Sequence, residues 1–363
     1  MPPNDYALPP DAASPNQGGL NSSSPADYFQ RARAAFAEAV QRGGLQEKKF
    51  QIGGGTFRLR LADETLAPVI LPALAHLAIE TVTSPDLKIS LADMTSSKIA
   101  LRFPGSEFSS NEPIGAMRRY HDARFFALAQ KETDALSLLD AETDEAFYWT
   151  QNAARLPWQE NTFPLRHLLA HFFRRREQQL IHAAAVGNEN GAVLIAGKGG
   201  SGKSTATLAC ATHGLFYLGD DYTLAGVEPE PRVWSLYSSA KVNADTLNWF
   251  PQLKPFVHHT GGAAEKSSLF LHGAPDLRFA GSLPIRAVLW PRITGRAETK
   301  LTPASSATLL LALAPSSILQ TPGDGEAVLR TLGRLVQAVP AFVLEAGTNP
   351  AAIAAAIKKF LAT

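Results

Sequence analysis

The sequence predicts an α/β protein with a smaller α+β domain ahead of its main sheet. Three observations carry this. An apolar run, Ala192 to Ala196, leads into the glycine-rich turn Gly197-Lys198-Gly199-Gly200-Ser201-Gly202 and then a helix of small residues that Gly214 stops. A second apolar run, Leu215 to Leu218, ends one helix later in adjacent carboxylates, Asp220 and Asp221. Upstream, residues 45 to about 155 hold short apolar or alternating runs separated by charged turns, which is a strand signal.

Bulk properties bound the possibilities. At 363 residues the chain is long enough for two domains, and 45% hydrophobic with 18% charged residues describes a chain that can bury a sizeable core. Lys+Arg 34 against Asp+Glu 33 leaves a formal charge of +1, so no net pull toward nucleic acid or an anionic membrane is expected. Arg174-Arg175-Arg176 reads as a solvated helix face, with contact to an acidic substrate as the alternative. The single Cys210 excludes an intrachain disulfide framework and fits a reducing compartment. No apolar stretch approaches transmembrane length and no signal pattern opens the chain, so the expected localisation is cytoplasmic.

Taken in order, residues 1–24 are rich in Pro, Ser, Asn and Gly and are expected to be a disordered tail. Ser24-Pro25-Ala26-Asp27 is a helix start, so 25–44 reads as a helix ending at Gly43-Gly44. Residues 45–165 read as an N-terminal α+β domain with a possible part in substrate recognition. Gly53 to Gly55 turn a strand pair there, and Glu64 to Ile79 has helical spacing despite Pro68 and Pro72. Leu87 to Leu91 and Ile99 to Phe103 are further strand candidates. His76 and His121 are isolated and read as structural or exposed.

Residues 166–363 form the second unit. Leu165 to Gln179 reads as a helix and Leu180 to Val186 as a strand, so His182 sits on a hairpin arm beside the strand before the glycine turn. Lys241, Glu265 and Lys266 follow as weaker candidates for contact with a ligand. Strands at Arg286 to Trp290 and Ala341 to Leu344 and helices at Ala304 to Leu313, Glu326 to Val339 and Asn349 to Leu361 complete the chain.

The glycine turn is G-x-x-x-x-G-K-[ST] with a strand before it and a helix after it, the context a phosphate-binding loop needs. Glycines let successive N–H groups point inward, and the helix N-terminus adds donors and partial positive charge. Gly197 to Thr205 would then cradle the phosphates of ATP, with Lys203 reaching the β- and γ-phosphates and Ser204 holding Mg²⁺. The paired acids end a strand, where open α/β sheets carry their sites. Adjacent strand residues face opposite ways, so one of Asp220 and Asp221 can serve Mg²⁺ while the other accepts a hydroxyl proton.

His182, Gly197 fifteen positions on, Lys203-Ser204, and Asp220-Asp221 seventeen positions past Lys203 together resemble the HPr kinase/phosphorylase catalytic domain. The resemblance is clear over about 182–222. It implies a P-loop kinase domain of the HPr kinase and phosphoenolpyruvate carboxykinase type over 166–363, and transfer of the γ-phosphate of ATP to a serine-type hydroxyl of a peptide or protein. By position it implies Asp220 as general base, Asp221 as the partner nearer Mg²⁺ with Ser204, and His182 in support of the pair, with the order of the two acids open. The family's Leu-Glu-x-Arg-Gly-Leu-Gly signature has no counterpart here, so the chain looks more like the divergent HPr-kinase-like serine kinases. Two alternatives stand: a carboxykinase-like small-molecule phosphotransferase, and an ATP-binding regulatory module without catalysis. The identity of the acceptor and the oligomeric state stay open.

Overall fold

A computed structural model describes residues 24–99, 101, 114–117, 120–130, 133–262, 265–320 and 325–363. The expected disordered tail lies outside the described residues except for Ser24, as does most of the strand expected at 99–103. Among the described residues the fold is mixed α/β, with strands gathered into sheets of seven, ten and three. No helix among them is long and apolar enough to cross a membrane.

Helix α1 (Pro25–Gly43) starts with a reciprocal cap. The Asp27 amide donates to Ser24 Oγ and the Ser24 amide donates to the Asp27 carboxylate, with Pro25 at the first position. Its buried stripe, Tyr28, Phe29, Ala32, Phe36 and Ala39, packs on Leu136, Phe147 and Trp149. Those three belong to the seven-stranded sheet. Its first pair is the hairpin β1 (Gln46–Ile52) and β2 (Gly55–Leu61). The helix expected to run through Ile79 is shorter. Helix α2 (Ala67–Leu74) contains Pro72, which lacks an amide donor, and gives way to a 3₁₀ turn at Ala75–Leu77. Then come β3 (Leu87–Asp93), the short α3 (Met94–Ser97), β4 (Ile114–Ala116), β5 (Phe125–Gln130), β6 (Ala135–Asp140) and β7 (Glu145–Thr150). The order is β1-β2-β3-β7-β6-β5-β4, parallel at β2–β3 and β3–β7.

After α4 (Trp158–Thr162), helix α5 (Arg166–Arg174) carries the expected apolar stripe but ends before the expected Gln179. Phe172 and Phe173 of α5 meet Phe57 of β2 with ring centroids 5.4 and 5.5 Å apart. The same core continues through Leu180, Tyr222, Leu224, Leu236 and Tyr237, so it runs across residue 165 and joins the two larger sheets.

The strand expected over 180–186 is broken at His182. β8 (Gln179–Ile181) lies before it and β9 (Ala183–Asn188) after it, then β10 (Gly191–Ala196), α6 (Lys203–Thr212), β11 (Phe216–Gly219), β12 (Thr223–Gly226) and β13 (Arg232–Trp234). β8 pairs with β12, whereas β9 pairs with β10. Next are β14 (Ser239–Val242), α7 (Ala244–Trp249), β15 (Val257–His259) and β16 (Ser267–Phe270), in which β14 and β15 flank β16 as the three-stranded sheet. β17 (Arg278–Phe279), the long β18 (Ser282–Ile293), β19 (Lys300–Pro303), α8 (Ser306–Gln320), α9 (Gly325–Ala338), β20 (Ala341–Ala346) and α10 (Pro350–Leu361) finish the chain.

β10 is fully buried and apolar, as a central strand covered on both faces must be. Val193 and Ile195 pack with Leu208 of α6 and Ile353 and Ile357 of α10. Ala192 and Leu194 pack with Leu309 and Leu313 of α8 and Leu332 and Leu335 of α9 on the other face.

Candidate active site

Strand register brings the chemistry to one edge. β9 runs antiparallel between β10 and β11, pairing Ala183 with Ala196 and Ala185 with Gly219. The start of β9 therefore lies beside the ends of β10 and β11. His182 is next to Ala183, Gly197 follows Ala196, and Asp220-Asp221 follow Gly219. β18 runs parallel to β10 with Leu289 beside Ile195, so Trp290 to Ile293 extend past the same edge. Four strands thus deliver residues far apart in sequence to the carboxyl end of the sheet.

The glycine loop has the backbone its sequence calls for. Gly200 and Gly202 take φ of 80° and 98°, a left-handed conformation that costs glycine little. Gly202 caps α6, whose first residue is Lys203. Lys203 is buried and its Nζ donates to the Gly197 carbonyl at 2.7 Å. Burial lowers its pKa, and the charges of Asp221 and Asp220 act against that fall. Ser204 and Thr205 sit half-exposed in the first turn, and Thr205 Oγ1 lies 3.2 Å from Thr246 Oγ1. Lys198, Gly199 and Gly200 are exposed at the loop crest, with Ser201 half-buried behind them.

The two carboxylates have different surroundings, as their opposite facing demands. Asp221 Oδ2 is 2.7 Å from Lys241 Nζ, and Oδ1 is 3.6 Å from His182 Nε2, longer than a hydrogen bond. Burial works to raise the pKa of Asp221, but His182 and the Lys241 ammonium outweigh it and hold the carboxyl well below the usual range. Asp220 is only 1% exposed. Its Oδ2 accepts from the Lys241 amide at 3.0 Å, while its Oδ1 has no hydrogen-bond partner among the described residues. Burial and the charge of Asp221 push Asp220 up to about 6, against the pull of the Lys241 amide and the nearby Ser204 hydroxyl. The pair thus holds one firmly ionised carboxylate and one that keeps a proton more readily. His182 is buried with Nδ1 unpartnered among the described residues, and burial lowers its pKa, with Asp221 partly countering. Its ring meets Tyr222 edge-on at 5.6 Å.

A cavity of about 1110 Å³ opens on these groups. It is lined by His182, Lys198 to Ser201, Lys203, Asp221, Lys241 and Lys266, with Trp290 to Ile293 and one face of α8 opposite. A smaller cavity of about 130 Å³ on the far side of the loop is lined by Ser204, Thr205, Asn243 and Thr246, and Lys241 and Lys266 line it as well. Asp220 lines neither and lies beneath, toward Ser204.

Lys241 is the residue whose importance the sequence understates. One side chain pairs with Asp221 and lies 4.8 Å over the Phe163 ring, while its own amide holds Asp220. Nothing in the local string Ser-Ala-Lys-Val marks it, since its partners sit twenty residues away across two sheets. Beside Lys266, Glu265 accepts from Trp158 Nε1 at 2.6 Å.

Other candidates go elsewhere. Arg175 and Arg176 pair with Asp144 and Asp86, away from the cavity. His76 is half-buried with Nε2 2.7 Å from Ser235 Oγ, and desolvation lowers its pKa to about 3. His121 packs edge-on against Phe126. Cys210 is a buried free thiol whose pKa burial raises. Among the described residues no group of three or more His, Cys, Asp and Glu could enclose a metal ion. No family model matches the chain, and no curated protein matches it either.

Proposed function

We propose that this chain is an ATP- and Mg²⁺-dependent phosphotransferase of the HPr-kinase-like, P-loop type that passes the γ-phosphate to a serine-type hydroxyl of a peptide or protein. One observation carries the reading: the glycine loop with Lys203 shares a single cavity with the His182–Asp221–Lys241 cluster. A loop that only bound nucleotide would need no buried acid and imidazole on the γ-phosphate side of it.

The loop amides, the N-terminus of α6 and Lys203 would hold the triphosphate, with Lys241 and Lys266 facing it from the other side. The residues present fit Mg²⁺. Asp220 Oδ1 is buried and unpartnered among the described residues with the Ser204 hydroxyl nearby, and one or two protein oxygens completed by phosphate and water suit this ion. Mg²⁺ held there would neutralise charge on the β- and γ-phosphates. This exchanges the roles that chain position implied. Asp220 serves the metal side with Ser204, because it faces that hydroxyl and not the cavity. Asp221 and His182 line the cavity and are the pair that orients the acceptor hydroxyl and takes its proton. Phosphoryl transfer of this kind depends mainly on positioning and charge neutralisation, so a strongly ionised Asp221 is no obstacle.

The direct test is incubation with γ-labelled ATP, Mg²⁺ and serine peptides or cell extract. Label on a peptide or protein supports the reading. Label confined to a metabolite, or ATP binding with no transfer under any condition, overturns it.

A further inference from the structure

The cavity carries more positive charge than a nucleotide needs. Among the described residues, Lys198, Lys203, Lys241, Lys266 and Arg292 line it against Asp221 as its only carboxylate, and Asp221 is already paired with Lys241. These cations divide by position. Lys203, Lys241 and Lys266 also line the small cavity beside the loop, so they are shared between the two cavities. Lys198 and Arg292 line only the large cavity, are exposed, and form no ion pair among the described residues. Glu345 is the neighbour of Arg292 across the β18–β20 pair but makes no ion pair with it. MgATP brings about two net negative charges, which the three inner lysines already meet.

The wall beside these outer cations is apolar. Ile293 is 69% exposed and Leu311 76%, an unusual exposure for large aliphatics flanking one opening. On α8 the lining residues Thr308, Leu311, Ala312 and Pro315 recur at helical spacing and share one face. Seven residues of helix cover about 10 Å, the length of roughly three residues of extended peptide.

Resting on the phosphotransferase reading, we infer that the α8–β18 side of the cavity is the acceptor subsite, and that it takes an acidic peptide segment whose hydroxyl residue is flanked by an aliphatic one. Lys198 and Arg292 meet the acidic groups, and Ile293, Leu311 and Ala312 cover the aliphatic side chain. The hydroxyl then points inward toward Asp221 and His182. The step is a plain group transfer: the hydroxyl oxygen bonds to the γ-phosphorus, the bond to the β–γ bridging oxygen breaks, ADP leaves, and the hydroxyl proton passes to the Asp221–His182 pair.

The test uses the full chain with three fluorescent serine peptides, identical except that leucine-flanked serine is bordered by two glutamates, two glutamines or two lysines. Binding is read by anisotropy with and without a non-hydrolysable MgATP analogue, and transfer is read separately with γ-labelled ATP. Exposed charge contacts give up to about 5-fold each. The glutamate peptide is therefore expected to bind about 5- to 25-fold more tightly than the glutamine peptide, and the lysine peptide weakest of the three. Arg292→Glu should narrow that ratio by about 5-fold or more and improve binding of the lysine peptide, a gain that a misfolded variant cannot produce. Arg292→Lys should keep the preference. Equal binding of all three peptides, no peptide binding, or a ratio unmoved by Arg292→Glu overturns the inference. Transfer without charge preference would leave the phosphotransferase standing and sink the acidic acceptor. Charge-selected binding without transfer would sink the phosphotransferase reading and leave an acidic-peptide site that is not an acceptor subsite.

Discussion

Two clusters of polar and ionisable groups, buried or half-buried, lie on either side of Tyr222, and they differ in what they open on. The first is Asp220, Asp221, His182, Lys203 and Lys241 at the sheet edge. The second is Glu160, Gln130, Arg166 and His167, at the join of the two larger sheets. There Gln130 Nε2 donates to Glu160 at 3.2 Å, Arg166 Nη1 donates to Tyr222 Oη at 2.8 Å, and Arg166 Nη2 lies 3.2 Å from His167 Nε2. Burial raises the pKa of Glu160, with Arg166 and Gln130 opposing, and burial takes His167 down to about 3. Perturbation alone does not tell the clusters apart, because both contain buried groups with shifted pKa values. Access does. Every member of the first cluster except Asp220 lines a large cavity at a helix N-terminus, whereas no member of the second lines that cavity. The second reads as a polar pin between sheets, and Tyr222, which touches both, as the boundary between them.

Substitutions at the two clusters should separate transfer from stability. The largest effect is expected at Lys203. Lys203→Ala removes the charged donor proposed to hold the phosphates, so on that reading transfer should fall on the order of 10³-fold. Nucleotide affinity should fall about 10- to 100-fold, while the fold, followed by circular dichroism and melting, survives. Asp221→Asn comes next. Transfer should drop about 100-fold, the scale of a lost general base, with MgATP affinity by calorimetry changed by no more than about 3-fold. Near-normal transfer in Asp221→Asn would return the acceptor role to Asp220 and break the assignment by access.

Much of the first cluster was legible in sequence because its parts are local. A strand, a glycine turn, a helix start and the next strand end sit within thirty residues, and each has its own chemical signature. The second cluster gave no such signal. Glu160 and Arg166 look like surface residues of a loop and a helix, and only the packing of α5 between the sheets buries Glu160 and sets Arg166 against Tyr222. The same cause hid Lys241 and the α8 wall. The break at His182 was also invisible, since Leu180 to Val186 is apolar on both sides of that histidine and the exchange of partner from β12 to β10 is decided by pairing across the sheet. In the N-terminal part, the short apolar runs between charged turns marked strand positions, but the parallel insertion of β7 beside β3 is long-range and leaves no local trace.

The second cluster predicts a smaller effect of a different kind. Glu160→Gln keeps the shape and the Gln130 contact but removes the charge facing Arg166. We expect a loss of about 1–3 kcal/mol in chemical denaturation, with nucleotide affinity unchanged. A matching loss of affinity would mean that the pin between the sheets also sets the site geometry, and the contrast between the clusters would fail.

The last effect, read as a difference between two proteins, concerns pH, and it separates the Asp220 carboxyl of the first cluster from His76, His167 and His171, which lie outside that cluster. Asp220 has an ordinary value of 3.8 and is pushed up to about 6 in the fold. Below pH 3.8 it is protonated folded and unfolded alike. Between there and about 6 the unfolded chain releases the proton that the folded one keeps, so the contribution of Asp220 to stability is lost as pH rises through that window and is constant above it. The size is at most about 3 kcal/mol. His76, His167 and His171 act the other way. Burial holds each near 3 against an ordinary 6.5, so stability falls as pH drops below 6.5 and the unfolded chain takes up protons. Asp221 titrates below all of this. Melting of the parent protein should therefore decline toward acid on account of the histidines, and Asp220→Asn should share that decline. The difference between the two isolates the carboxyl: the variant's advantage should grow from pH 4 to pH 6 and stay level above pH 7. A difference that does not vary with pH would mean that Asp220 is ionised throughout, as firmly as Asp221, and the division of the pair into a metal-side acid and an acceptor-side acid would lose its electrostatic support.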